Sequence, residues 1–79
     1  MKAKLMSILD TNEPSKQLYG VKITGLKRSI FLMQNDGFYE TTNKTECVKM
    51  VKETNKYLND NTEIETQLRE NKDIMGIKI

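Results

Sequence analysis

NKTECVKMVKETNKYL, residues 43 to 58, carries the most consistent helical period in the chain, and the other segments take their place around it. At 100° per residue, Cys47, Val51, Thr54 and Leu58 form one line, with Met50 and Tyr57 on one flank and Val48 on the other. This is a core-facing stripe. The opposite side carries Thr45, Lys49, Lys52, Glu53 and Lys56. Asn43 followed three residues later by Glu46 resembles a capping box with Asn in place of Ser or Thr, so the helix has a start signal as well as two faces.

Before the helix the period changes from 3.6 to 2. Residues 2 to 9, KAKLMSIL, have some helical spacing at Leu5, Ile8 and Leu9, but the segment is short and reads as a strand. DTNEPSK, residues 10 to 16, is a loop with Pro14 fixing φ and Asp, Asn and Ser supplying local hydrogen bonds. Gln17 to Leu26 alternates, with Tyr19, Val21 and Ile23 on one face and Gly20, Lys22 and Thr24 on the other, as in a half-buried strand. After a turn around Gly25 to Arg28, Ile30 to Met33 is apolar on both faces, which suits a strand inside a sheet. Asn35-Asp36-Gly37 reads as a three-residue hairpin loop with Gly37 in the left-handed position, and Phe38 to Thr41 returns antiparallel.

Beyond the helix, Asn59-Asp60-Asn61 breaks the period. Thr62 and Glu65 form a T-x-x-E capping box that opens a shorter helix with an apolar edge at Ile64 and Leu68 and a Glu65–Arg69 pair at i,i+4. Met75, Ile77 and Ile79 then alternate with Gly76 and Lys78 as a last strand beside the earlier sheet. The expected fold class is α+β, a small two-layer single domain spanning residues 1 to 79. It has an antiparallel β-meander of three to four strands, one long and one short helix over one face, and a C-terminal strand added to the sheet.

With 79 residues the domain buries only roughly 60 to 65% of the surface its unfolded chain exposes. There is one cysteine and no histidine, so neither a disulfide nor a Cys/His metal cage is available to staple it. Cys47 lies on the apolar stripe and reads as a small buried side chain in a reducing compartment. Neither a signal peptide nor a membrane span fits the sequence, which points to the cytoplasm of a bacterium or of an infected host cell.

The formal charge of +2 is unevenly spread. Residues 1 to 28 hold Lys2, Lys4, Lys16, Lys22, Lys27 and Arg28 against Asp10 and Glu13, whereas residues 60 to 73 hold Asp60, Glu63, Glu65, Glu70 and Asp73 against Arg69 and Lys72. Such a dipole steers charged partners but falls well short of a dedicated nucleic-acid binder. The Lys-, Asn-, Thr- and Ile-rich composition with only two arginines suggests an AT-rich genome, such as that of many phages.

Catalytic constellations are scarce. Gly20 to Ser29 has G-x-x-x-x-G, but Leu26 stands where lysine should follow, and the segment leads into a strand, not into a helix whose amides could cradle phosphate. Without histidine, Ser-His and Cys-His arrangements are excluded. The carboxylate pairs Glu63 with Glu65 and Asp36 with Glu40 lie at a solvated helix start and beside a turn, and the sequon Asn43-Lys44-Thr45 lacks a secretory context. The reading assigns no catalytic residue, no cofactor and no metal site.

Two surfaces remain. The Lys49, Lys52, Lys56 row on the outside of the long helix is the candidate protein-binding ridge, with an unpaired edge strand as a second docking element. A sheet surface combining Lys2, Lys4, Lys22, Lys27 and Arg28 with some of Tyr19, Phe31, Phe38 and Tyr39 would suit RNA or single-stranded DNA, although these aromatics read first as core residues. The sequence thus leads to a small non-enzymatic binding protein that docks on another protein, of the kind a phage uses as an accessory factor to modulate or inhibit a host component. The alternative is an RNA or single-stranded DNA binder, and a homodimer is compatible with so small a core.

Overall fold

The computed structural model describes residues 1–10, 12–35 and 37–79. In chain order the elements are β1 (Lys2–Leu9), β2 (Gln17–Thr24), β3 (Ile30–Gln34), β4 (Gly37–Phe38), α1 (Lys44–Asp60), α2 (Glu63–Glu70) and β5 (Gly76–Ile77). The expected α+β arrangement holds: a four-stranded antiparallel meander, two helices, and a last strand bonded back to the sheet.

β1 and β2 form a hairpin paired along its whole length, from Lys2↔Thr24 to Leu9↔Gln17. β2 and β3 pair through only two positions, Lys22↔Phe31 and Ile23↔Ile30, and then splay apart. The gap is filled from β4 onward: Phe38 pairs with Met33, the Tyr39 N–H donates to the Leu32 carbonyl, and Thr41 bridges to Tyr19. β5 lies on the far side of β3 and parallel to it, so β1 and β5 are the two edges.

Period 2 sends the odd-numbered side chains of β1 and β2 toward the helices. Ala3, Val21 and Ile23, with Ile30 and Leu32 of β3, are buried against Cys47, Leu58 and Leu68. Of the helical line anticipated from spacing, Cys47, Thr54 and Leu58 are buried while Val51 is half-buried. Thr54 tolerates the core because its hydroxyl donates to the Met50 carbonyl at 2.7 Å. The flank assignment needs one correction: Val48 is exposed, since α1 leans toward Met50 and Tyr57.

Both helix starts differ from complete capping boxes. The Asn43 side chain accepts from the Glu46 N–H at 3.1 Å as expected, but the Glu46 carboxylate accepts from the Thr41 hydroxyl instead of returning to Asn43. Thr41 Oγ1 takes the Asn43 N–H in its place. Thr62 already has helical φ/ψ and makes no side-chain cap, whereas the Glu65–Arg69 pair forms at 3.0 Å as expected. At the β3–β4 turn it is Asn35, with φ 39°, and not Gly37, that takes the positive φ. Asn is among the residues that tolerate this region, and Gly37 is thereby free to open β4. Asp36, and with it the Asp36–Glu40 pair, lies outside the described residues. Of the alternating Met75, Ile77 and Ile79, only Ile77 packs against the core; Met75 and Ile79 are exposed because β5 is two residues long.

One side chain ties α2 and the segment after it to the sheet. Arg28, in the β2–β3 turn, donates to the carbonyls of Leu68, Asn71 and Ile74 at 2.8, 2.9 and 3.0 Å. These are carbonyls at and after the α2 C-terminus, where an isolated helix has no partners and where a cation is favoured.

Candidate binding surface

The even-numbered side chains of β1 and β2 face away from the helices. Here Lys2 pairs with Thr24, Lys4 with Lys22, Met6 with Gly20 and Ile8 with Leu18, while Phe31 sits beside Lys22 and Phe38 beside Met33. Neither helix covers this face. Met6, Ile8, Phe31 and Phe38, with Ser7 and Glu40 at the rim, line an open groove of about 330 Å³. The two phenyl rings meet edge to face, with centroids 5.4 Å apart and planes at 75°, and Phe38 remains 55% exposed.

Gly20 lies buried beneath Met6 and Ile8. A Cβ there would come within 2.9 Å of Ile8 Cδ1, 3.1 Å of the Tyr39 carbonyl oxygen and 3.3 Å of Met6 Cε. Glycine inside a strand marks such a close approach, and here it lets Ile8 and Met6 close down over the sheet. From the other side, the Cys47 thiol donates to the Gly20 carbonyl at 3.3 Å, so the helix is anchored to β2 at this point. Cys47 is fully buried, and burial, reinforced by the Glu46 carboxylate, raises its pKa. That leaves it a packed thiol with little thiolate character at neutral pH.

The electrostatics of the face are one-sided. Lys4 and Lys22 are direct cross-strand neighbours, and like charges in that relation are unfavourable unless an anion sits between them. Lys2 extends the positive strip along β1, and neither salt bridge of the described residues involves these three lysines.

The residues singled out from sequence are thus brought together only in part. Lys2, Lys4 and Lys22 share the open face with Phe31 and Phe38. Lys27 is exposed in the β2–β3 turn, beyond the strands. Arg28 is spent on the α2 carbonyls and is not part of that set. Among the aromatics, Tyr39 is 3% exposed and turned inward, where burial, with the nearby Glu46 carboxylate, raises its pKa. Tyr19 is half-buried and packs against the core. Phe31 and Phe38 reverse their expected role as packing residues because the strand pairing puts them on the uncovered side. Met6 and Ile8 were not singled out by sequence as site residues, and Gly20 only in the rejected phosphate-loop match; the interior glycine opposite an apolar even position was the available signal.

The Lys49, Lys52, Lys56 ridge is exposed along α1 and far from this groove in the chain's layout. Lys56 lines a second open depression with Glu53, Tyr57, Asp60 and Ile79 among its neighbours, so acids alternate with bases there. No family model, curated protein or solved structure matches the chain. Its surface has to be judged on its own chemistry.

Proposed function

We propose that the protein is a non-enzymatic docking module whose open sheet face receives a protein segment with an apolar projection bordered by carboxylates. The observation that carries this reading is the juxtaposition of the Lys4–Lys22 pair with the Met6, Ile8, Phe31 and Phe38 groove. An apolar side chain seated between the phenyl rings removes exposed apolar surface from water, and an acidic group placed between the lysines relieves their mutual repulsion. The groove is shallow and lined mainly by carbon. Recognition of a macromolecular surface suits it better than enclosure of a small molecule. The absence of histidine from the sequence and the burial of Cys47 favour binding over catalysis. Among the described residues no helix is long and apolar enough to cross a membrane.

One observation favours a second reading. Phe38 is exposed against Phe31, which is itself paired with Lys22 on an antiparallel sheet, an arrangement that also stacks single-stranded RNA or DNA. The two separate in one experiment: capture from a lysate of the source cells, with and without nuclease, by the wild type and by the Phe38→Ser and Lys22→Glu variants. The docking reading expects a protein that survives nuclease, weakens only modestly with salt, and is lost in both variants. Capture that disappears on nuclease treatment and falls steeply with salt establishes the nucleic-acid reading instead. Retention by both variants removes the open face from consideration.

A further inference from the structure

The docking reading uses the open-face side chains of Lys4, Met6 and Ile8 but not the backbone groups along the free edge of β1. In the β1–β2 ladder the Lys2 carbonyl accepts from Thr24 Oγ1 and the Ile8 carbonyl from Gln17 Nε2, so the even residues of β1 turn their backbone groups toward β2. The odd residues turn theirs outward. At Ala3 those outward groups are taken: its N–H donates to Asn55 Oδ1 at 2.8 Å, and its carbonyl accepts from Asn55 Nδ2 at 3.1 Å. The amide of α1 thus acts as a one-residue strand that stops the ladder at Ala3. Leu5, Ser7 and Leu9 have no such partner among the described residues, and Leu9 is 71% exposed.

We infer that this edge is a self-complementary interface that takes β1 of a second copy of the chain in antiparallel register centred on Ser7. Three free outward residues, Leu5, Ser7 and Leu9, are all paired in only one two-fold register: Ser7 opposite the second copy's Ser7, and Leu5 opposite its Leu9 in both directions. That register places the exposed Leu9 against the other copy's Leu5 on the helix side and Met6 against its Ile8 on the open side. Lys4 falls opposite the other copy's Asp10, so both ends of the new ladder carry opposite charges. Asp10 uses Oδ1 to accept the Asn12 and Glu13 N–H groups, which leaves Oδ2 for the lysine. Any strand added further toward Ala3 would have to displace Asn55.

The surroundings agree. The longest extent of the molecule is 39 Å against 24 and 22 Å, and at the two ends of β1 Leu9 is exposed while Ala3 is buried and bonded to Asn55 of α1. Because antiparallel pairing sets the two Ala3 ends at opposite ends of the ladder, the Asn55 ends of the two α1 helices lie far apart, whereas their N-terminal halves, held at Gly20 by Cys47, come beside the Ser7 centre. Val48, exposed on α1, lies seven residues before Asn55 and therefore on the flank of the helix that overlooks this edge. The two sheets join into one with their open faces on the same side, so the groove is presented twice.

Two measurements test the register. Light scattering across concentration should show the mass rising from 9.2 kDa toward twice that value. The Lys4→Glu and Asp10→Lys variants should each dimerise about tenfold more weakly, since two attractions become two repulsions, and an equimolar mixture of the two should recover the wild-type affinity as a heterodimer. In parallel, Ser7→Cys should oxidise readily to a covalent dimer, because directly opposed Cα atoms lie about 5.5 Å apart, within the range a disulfide spans. Leu9→Cys should not, its counterpart being about 13 Å away along the strand. A chain that stays at monomer mass at every concentration overturns the inference. So does a dimer in which Leu9→Cys cross-links as fast as Ser7→Cys, or in which the mixed charge variants fail to recover.

Discussion

On the helix side of the sheet, Val21, Ile23, Ile30 and Leu32 are each 1% exposed or less, whereas on the opposite side Phe38 is 55% exposed and its neighbours Met6, Ile8 and Phe31 are half-buried. Both faces carry large apolar side chains, yet only the first is closed by another layer. Alternation along a strand separates the two faces but does not say which is covered. That depends on where the helices return, and here Arg28 and Asn55 fix it: one holds the C-terminus of α2 to the β2–β3 turn, and the other fastens α1 to the edge of β1. The stability of the domain should therefore reside on one face, and its capacity to bind on the other.

The sharpest break of that contrast is a charge on the covered side. Ile23→Asp leaves a carboxylate with no room for water and no partner, which costs several kcal/mol against a total of about 4 to 12 kcal/mol for a domain this size. Circular dichroism should show no cooperative thermal transition. Leu58→Asp on α1 should behave the same way, while Val51→Asp, at a half-buried position, should leave a weakened but folded domain.

Next in size is Arg28→Lys. The charge is kept, but one ammonium cannot reproduce a planar fork reaching three carbonyls. A loss of about 2 kcal/mol is expected from the urea midpoint, with the slope unchanged. Loss of the clamp should also loosen α2 and β5 first, seen as faster amide exchange at Leu68 and Ile77 than at Val21.

Asn55→Ala is smaller, about 1 kcal/mol, because the Ala3 N–H and carbonyl it abandons sit at an edge that water can reach. Its diagnostic effect lies elsewhere. With Ala3 uncapped, the open edge of β1 lengthens by one pair of groups, and strand-mediated association should increase.

Alkaline pH acts on the same covered side more gradually. Cys47 and Tyr39 both have pKa values raised above their ordinary ones, chiefly by burial, so the folded state holds these protons more tightly than the unfolded state. The stability they contribute is complete below the unfolded values and is lost as pH rises through the folded ones. Stability measured by urea should thus decline from about pH 9 upward, and Cys47→Ala should remove the earlier part of the decline.

The elements were legible because their periods are long and their turn residues specific: eight residues of β1, the Asn43 cap and the Glu65–Arg69 pair are all local features. The site was legible only in part. Lys2, Lys4 and Lys22 declared themselves by charge, but the placing of Phe31 and Phe38 on the uncovered face follows from the pairing of β3 with β2 and β4, and the conversion of Arg28 from a surface cation to a clamp follows from contacts 40 to 46 residues away. Neither has a signature in neighbouring residues. The same holds for Asn55, whose polar side chain on a helix gave no hint that it ends a strand ladder 52 residues earlier.

The smallest expected effect is the one that most directly tests the contrast. Phe38→Ser removes a ring that is more than half exposed and contacts one other ring, so its contribution to folding should be about 0.5 kcal/mol or less, within the range of ordinary surface substitutions. The thermal midpoint should hardly move. If it falls by the amount a core phenylalanine would cost, about 3 kcal/mol or more, the open face is part of the fold's own support and its apolar character needs no ligand to explain it. If it stays put while partner capture is lost, the ring is there for contact with something outside the chain, and the asymmetry between the two faces is functional.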